Sequence, residues 1–412
     1  MEPGRLDYAE PREREALQRW GAGGEFDAGP SANSSDVLSA WRKHRRWFIG
    51  QVALWGILAL LLRVAVVPAE TCPPVDPGAV ARAADAGGDW LARGQRDDGR
   101  FLYGYYSDED RVSSDYSTTR HAGVMAALYA LGRIGAADAA LGYVRENLIS
   151  QRGWTAFAPL GESVDVGANS LLVVALMNRR KATGERRYDR FARQIGRFLV
   201  FQLQADGSIL QYYQRYAKRS LPGVYGKFAT GEAFYAMALL ERAFPSEGWD
   251  GPAHRVGDYL ATRRDEVEGG FREPDHWAAY GLAELEPSGL TATEVEYARW
   301  LAGYFGYLIR YESQHQGSAL NQLSESGASL GTDGEAAAAL WRLAGAEPRL
   351  ADLHGRLGDR VSCNAGVLVD RQVSAVEQNR LARGAWFDDG YTQMDDQQHA
   401  IAALLGAREV LR

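Results

Sequence analysis

The sequence predicts an all-α domain, an (α/α)6 toroid of six helical hairpins, following one N-terminal apolar helix. Three observations point there. Strand signals are few. Alanine-rich apolar stretches recur along the chain. Between them lie stretches with apolar residues at helical spacing and charge on the opposite face. The stretch "RHAGVMAALYAL", from Arg120, returns in altered form as "ANSLLVVALM" from Ala168, "GEAFYAMALL" from Gly231, "DHWAAYGLAEL" from Asp275, "DGEAAAALWRL" from Asp333 and "DQQHAIAALL" from Asp396. Each holds a small residue followed by leucine, as at Ala127-Leu128 and Ala403-Leu404, and the spacing leaves room for a second helix. The amphipathic segments 78–95, 137–149, 187–203, 252–264, 292–312 and 349–360 supply it. A helix wet on one face belongs outside, and one apolar all round belongs inside. Six such pairs fill a ring; an open solenoid of the same repeats is the alternative arrangement.

Ahead of the toroid, residues 1–46 are rich in Gly, Ser, Glu and Arg without periodicity and read as a disordered tail. Residues 47–67 read as a transmembrane helix. "WFIGQVALWGILALLL", Trp47 to Leu62, carries no charge, and "VAVV" continues it after Arg63. At a rise of about 1.5 Å per residue it matches a hydrocarbon core of about 30 Å, with Arg63 close enough to one end to snorkel. "RKHRR", Arg42 to Arg46, precedes the run, and no Lys or Arg follows Arg63 until Arg82. The positive-inside rule then places the N-terminus in the cytoplasm and the toroid outside, periplasmic or extracellular. Residues 68–77, within "PAETCPPVDPG" (68–78), read as a proline-rich stalk, and 78–412 as the toroid.

The chain has 412 residues, 46% hydrophobic and 24% charged, with a formal net charge of −7. That charge, with no basic stripe, argues against nucleic acid as a partner. Its two cysteines, Cys72 and Cys363, fall on the outer side, where they either pair or stay as free thiols. Two cysteines argue against a structural zinc site, and a metal held by His121, His276 and His399 is a minor alternative, since no helix carries histidines at ligand spacing; no cofactor is expected. Nothing in the sequence sets the oligomeric state.

Counting back six residues from each small-Leu pair gives His121, Asn169, Glu232, Asp275, Asp333 and Gln397. All are polar, on helices otherwise apolar. Arg120 and Asp396 stand one place further back; His276, Glu335 and His399 stand nearer the pair. Inner helices of a toroid run in one direction, so these starts converge on one funnel mouth, where helix N-termini favour anions. Asp, Asn, Ser and Thr at such positions also serve as caps; His121, Glu232, Gln397 and His399 are not preferred caps. Loops ahead of the inner helices hold Tyr103, Trp154, Tyr212 and Trp386, and Trp277 follows His276; aromatic faces of this kind stack on sugar rings.

The layout from about residue 78 to 412 resembles the (α/α)6 toroids of carbohydrate-active enzymes: six-hairpin glycosidases, uronyl hydrolases and N-acylglucosamine 2-epimerase-type epimerases. In the last group catalytic histidines sit on the inner helices of the fourth and sixth hairpins. "PDHWAAYGL" and "QQHAIAALL" put His276 and His399 there, and Arg120 matches an arginine on the first inner helix. Where that group carries a Glu soon after the first histidine, Trp277 and Ala278 stand here. The resemblance implies a carbohydrate or glycoconjugate substrate of the cell envelope. Hydrolysis is the leading expectation and needs two carboxyl groups whose pKa values are pushed apart, with Glu232, Asp275, Asp333 and Asp396 as the candidates; epimerisation is the alternative. Epimerisation would use His276 and His399 as acid and base, with Arg120 binding a substrate anion. A tethered glycan-binding or scaffold module needs only the aromatic loops.

Overall fold

The computed structural model describes residues 34–65, 69–151, 153–159, 161, 163–269, 274–315 and 327–412. Most of the tail (1–33) and residues 66–68, at the junction of span and stalk, lie outside them. Two units are distinguished, Met1–Pro68 and Ala69–Arg412. In the first, helix α1 (Ser34–Ala65) carries the apolar run. Its large apolar side chains, from Trp47 (67% exposed) to Leu62 (49%), are uncovered. Among the described residues no helix is long and apolar enough to cross a membrane.

The second unit is built of helix pairs. The outer helices are α2 (Pro77–Arg93), α4 (Ile134–Glu146), α6 (Asp189–Gln202), α8 (Asp250–Thr262), α11 (Ala292–His315) and α13 (His354–Arg371); α9 (Arg264–Glu268) is a short turn after α8. The inner helices are α3 (Thr118–Ala130), α5 (Val166–Thr183), α7 (Ala229–Ala243), α10 (His276–Leu285), α12 (Gly327–Ala346) and α14 (Met394–Val410). Each inner helix packs on the next, and α14 packs on α3, so the ring is closed rather than an open solenoid.

Residue type explains the two layers. α2 buries only the face of Val80, Ala83, Ala84, Gly87, Trp90 and Leu91, whereas α5 buries all its residues from Val166 to Met177. Small residues let the inner helices approach closely: a side chain at Gly281 would strike Phe234, and one at Gly406 would meet Ala338. The starts are capped from the sequence. Ser117 accepts from the Arg120 amide, Asp165 from those of Gly167 and Ala168, and Asp275 from those of Trp277 and Ala278. Gly184, with φ 73°, ends α5 in the left-handed conformation that a side chain would resist.

Among the described residues eight short strands, β1 to β8, decorate the end of the ring where the inner helices begin. β1 (Gly104–Tyr106) pairs with β2 (Arg111–Val112) and with β8 (Tyr391–Gln393), the latter in register Gly104 with Gln393. That pairing ties the loop before the first inner helix to the loop before the last. β3 (Leu148–Gln151) pairs with β4 (Trp154–Phe157), and β5 (Ser163–Asp165) with β6 (Tyr212–Gln214), which pairs in turn with β7 (Arg219–Ser220).

The expected stalk is not free. Cys72 and Cys363 form a disulfide, with Cα atoms 4.8 Å apart. The Thr71 amide donates to the Ser313 carbonyl at 2.8 Å, and Glu70 pairs with Arg310 at 2.9 Å and Arg360 at 2.6 Å. Gly366 leaves room for the Pro73 carbonyl, which any side chain there would strike. Residues 69–76 are therefore a strap along α11 and α13, held by polar and covalent contacts.

Candidate active site

A cavity of about 700 Å³ opens at the inner-helix starts. Of the expected site residues Arg120, Glu232, His276, Trp277, Asp333 and His399 line it; Glu312, Arg371, Asp395 and Gln398 join them. At its floor α10, α12 and α14 bring three buried groups together. His399 Nδ1 lies 2.7 Å from Glu335 Oε1, and His276 Nε2 lies 3.5 Å from the same oxygen. Tyr280 donates to Glu335 Oε2 at 3.2 Å. The imidazole rings meet edge to face with centroids 5.1 Å apart, and the Trp277 ring lies 4.5 Å from His276 and 5.7 Å from His399. On the cavity side His399 Nε2 is 3.6 Å from Asp395 Oδ1, and Asp395 Oδ2 takes Arg120 Nε at 3.2 Å. Arg120 also donates to the Tyr103 hydroxyl and to Gln393 Oε1.

This arrangement separates the two histidines electrically. Burial opposes protonation of both. At His399 the carboxylates of Glu335 and Asp395 outweigh it and push the imidazole up to about 10. At His276 burial prevails, reinforced by the His399 charge, and the imidazole is held well below its usual value. Among the described residues His276 Nε2 is buried without a hydrogen-bond partner. Asp395 is lowered despite its burial, because His399, Arg120 and His276 surround it. Glu335 is raised by burial, with His399 and Tyr280 pulling the other way. Glu232 is pushed well up by burial and then by Asp165 and Asp275; Asp333 is pushed up by burial and Glu312. At neutral pH the floor therefore holds an imidazolium beside a neutral imidazole. His276, Glu335 and His399 also offer donors within 4.8 Å of one another, a spacing that fits a metal ion. Such an ion would have to displace the proton that His399 shares with Glu335.

Several expected site residues do other work. Asp275 is fully buried, caps α10 and takes Arg264 at 3.0 Å; burial, offset by Arg264 and the helix amides, brings its carboxyl up to about 6. Asp396 accepts from the Gln393 amide in a capping box. Neither faces the cavity, so they do not oppose each other across a substrate. His121 is locked among Phe101, Tyr143 and Phe157, with the Tyr116 hydroxyl 2.6 Å from its Nδ1; burial takes it down to about 4. Asn169 bonds the amide and carbonyl of Phe157 and so fastens β4. Gln397 donates to Thr392. Trp154 packs on Phe198 and Tyr213, and Trp386 is buried with its indole N–H on the Leu368 carbonyl. Tyr212 sits in β6 away from the cavity. Tyr103 reaches the site only through Arg120.

No protein-family model and no curated protein sequence matches the chain. Solved structures do. Cellobiose 2-epimerase from Spirochaeta thermophila DSM 6192 superposes with a TM-score of 0.54 at 14% identity, over 81% of this chain and 96% of that one. A D-mannose isomerase gives 0.54 at 11% identity, over 80% and 97%. A family 76 glycoside hydrolase (mannosidase) from Bacteroides thetaiotaomicron VPI-5482 gives 0.54 at 13% identity, over 81% and 98%. The fold of residues 69–412 is that of the (α/α)6 toroid enzymes.

Proposed function

We propose that the chain is an enzyme that moves a proton on a carbohydrate bound in the cavity, as a sugar epimerase or isomerase does. The observation that carries this is the histidine pair: an imidazolium and a neutral imidazole with an unpartnered Nε2, side by side on one cavity floor. Neutral His276 takes the proton from the carbon beside a sugar carbonyl, and the electron pair passes to the carbonyl oxygen as an enediolate. His399, held charged by Glu335 and Asp395, supplies a proton. Return to the same carbon from the other face gives an epimer; delivery to the neighbouring carbon gives the aldose–ketose isomer. Arg120 holds Asp395 in place and presents its remaining donors to substrate hydroxyls. The likeness to an epimerase and an isomerase in fold supports the reading.

Glu232 and Asp333 keep a hydrolase as the second reading, because both line the cavity and burial pushes both carboxyls well up, the direction a general acid requires. The experiment is incubation of the full-length protein with aldoses, cellobiose and mannan oligosaccharides in D2O. Deuterium at C2 with epimer or ketose formation is expected, falling about 10²–10⁴-fold in His276→Gln and in His399→Gln. Cleavage without deuterium incorporation would put the hydrolase in its place. Binding with no turnover would leave a glycan-binding module.

We further propose that α1 anchors the toroid by a single pass, with the N-terminus cytoplasmic. The uncharged run, its "RKHRR" flank and the uncovered apolar side chains support an anchor; the disulfide suits an oxidising compartment outside. Protease added to intact spheroplasts should digest the toroid domain; its survival would refute this topology.

A further inference from the structure

A second cavity, of about 840 Å³, opens at the opposite end of the ring, where the inner helices finish. Its walls are unlike those of the first. Arg180 and Lys181 of α5, Arg242 of α7, Arg342 of α12, Arg408 of α14 and, beyond that helix, Arg412 line it. The lining carboxylates are Glu284, Glu335 and Glu409. Glu335 is engaged by His399, Glu284 lies 3.2 Å from Arg242, and Glu409 lies 3.7 Å from Arg342. Arg180 turns to Asp189. Lys181 and Arg408 have no carboxylate partner among the described residues.

Cations in the last turn of a helix complement its dipole, and that alone would account for a rim of charge. It does not account for the floor. Tyr235 stacks on Tyr280 with centroids 4.9 Å apart and on Trp277 at 6.2 Å, both within 19° of parallel. Arg342 lies over the Tyr280 ring at 5.8 Å. Gln398, 4% exposed, lines both cavities, and among the described residues its buried Oε1, set against Gly123, has no hydrogen-bond partner. Leu171, Trp277 and Gln398 form the partition between the cavities. Aromatic rings offer the apolar side of a sugar a wall to lie against, and arginines take an anionic substituent through paired N–H donors. The volume falls within the range of small-ligand pockets.

We propose that this second cavity is a binding site for an anionic saccharide, a sugar bearing phosphate, sulfate or carboxylate, distinct from the site at the inner-helix starts. The sugar ring lies against the edges of the Tyr235–Tyr280 stack that line the cavity, and its anion is held by Lys181 and Arg408 at the rim. The site does not depend on what chemistry the first cavity performs.

The test is calorimetric titration of the full-length protein in detergent with glucose 6-phosphate, glucuronate, glucose and inorganic phosphate. The two anionic sugars should bind, glucose about tenfold or more weaker, and inorganic phosphate weaker than glucose 6-phosphate for want of the ring. Lys181→Glu with Arg408→Glu should weaken the anionic sugars about tenfold or more, the scale of a lost charge-assisted contact, and leave glucose unchanged. A second measurement needs no variant: glucose 6-phosphate should protect Lys181 from an amine-acylating reagent, read by peptide mass spectrometry. Equal affinity for charged and uncharged sugars, no binding at all, or a Lys181 acylated equally with and without ligand would overturn the proposal.

Discussion

Replacing Glu335 by Gln keeps the shape of the cavity floor and removes one charge, so it isolates what holds His399 protonated. Glu335 Oε1 lies 2.7 Å from His399 Nδ1, and Asp395, at 3.6 Å, remains on the other nitrogen. A hydrogen bond between charged, buried partners contributes about 1.5–3 kcal/mol. At about 1.4 kcal/mol per pH unit, its loss should lower the His399 pKa, about 10 in the wild type, by about one to two pH units. The direct assay is an NMR titration of imidazole carbon and nitrogen shifts. Stability offers an independent readout. A histidine raised in the folded state stabilises fully below its unfolded pKa of about 6.5, and that contribution disappears as pH rises through the folded value. The wild type should therefore lose stability from about pH 6.5 to about 10, and Glu335→Gln should lose less over that window. His276, lowered in the folded state, acts below about pH 6.5 with the opposite sign, so the two windows separate. An unchanged His399 titration and an unchanged stability slope above pH 6.5 would refute the assignment of Glu335 as the group that charges it.

Reduction of Cys72–Cys363, or Cys72→Ser, should slow the non-reducing electrophoretic band and destabilise the toroid by up to about 4–5 kcal/mol, the chain-entropy value for a long loop, as read by urea denaturation. Asp275→Asn retains a capping side chain but takes one of two carboxylates from the buried Arg264, 3.0 Å away, which keeps Glu268 at 3.1 Å; a loss of about 1–3 kcal/mol is expected, and full stability in urea would show the pair to be dispensable. Gly123→Ala places a methyl against the Gln398 amide, so it should shift Gln398 and lower affinity in both cavities, measured by titration of each ligand.

The ring was legible because its signal is periodic. Runs such as Ala336 to Ala339 are apolar on every face, and only an inner position buries them all. The starts of those helices were legible as polar, and they do converge. Their individual roles were not, because a helix turns about 100° per residue and a count along the chain fixes height but not facing. Six residues before Ala403-Leu404 stands Gln397, turned to Thr392, while its neighbours Gln398 and His399 face the cavity. Asp396 and Asp275 are caps, as short acidic side chains at helix starts often are; Asp395, one place earlier, is the carboxylate that meets the site. The pairing of Glu335 with His399 joins two hairpins and leaves no local pattern in the chain. The aromatic loops misled for a related reason: Trp154 and Trp386 are rich in apolar area, and the ring's own end offered them burial.

The strap of residues 69–76 has a mechanical meaning. A pull on the chain ahead of Ala69 reaches Cys72 first and crosses the disulfide into α13, in the sixth hairpin. The load therefore bypasses α2, which would otherwise peel from α14 like the first tooth of a zip and open the ring. Force applied ahead of the strap is passed to the fifth and sixth hairpins, and the covalent bond has to fail before the helices feel it in sequence.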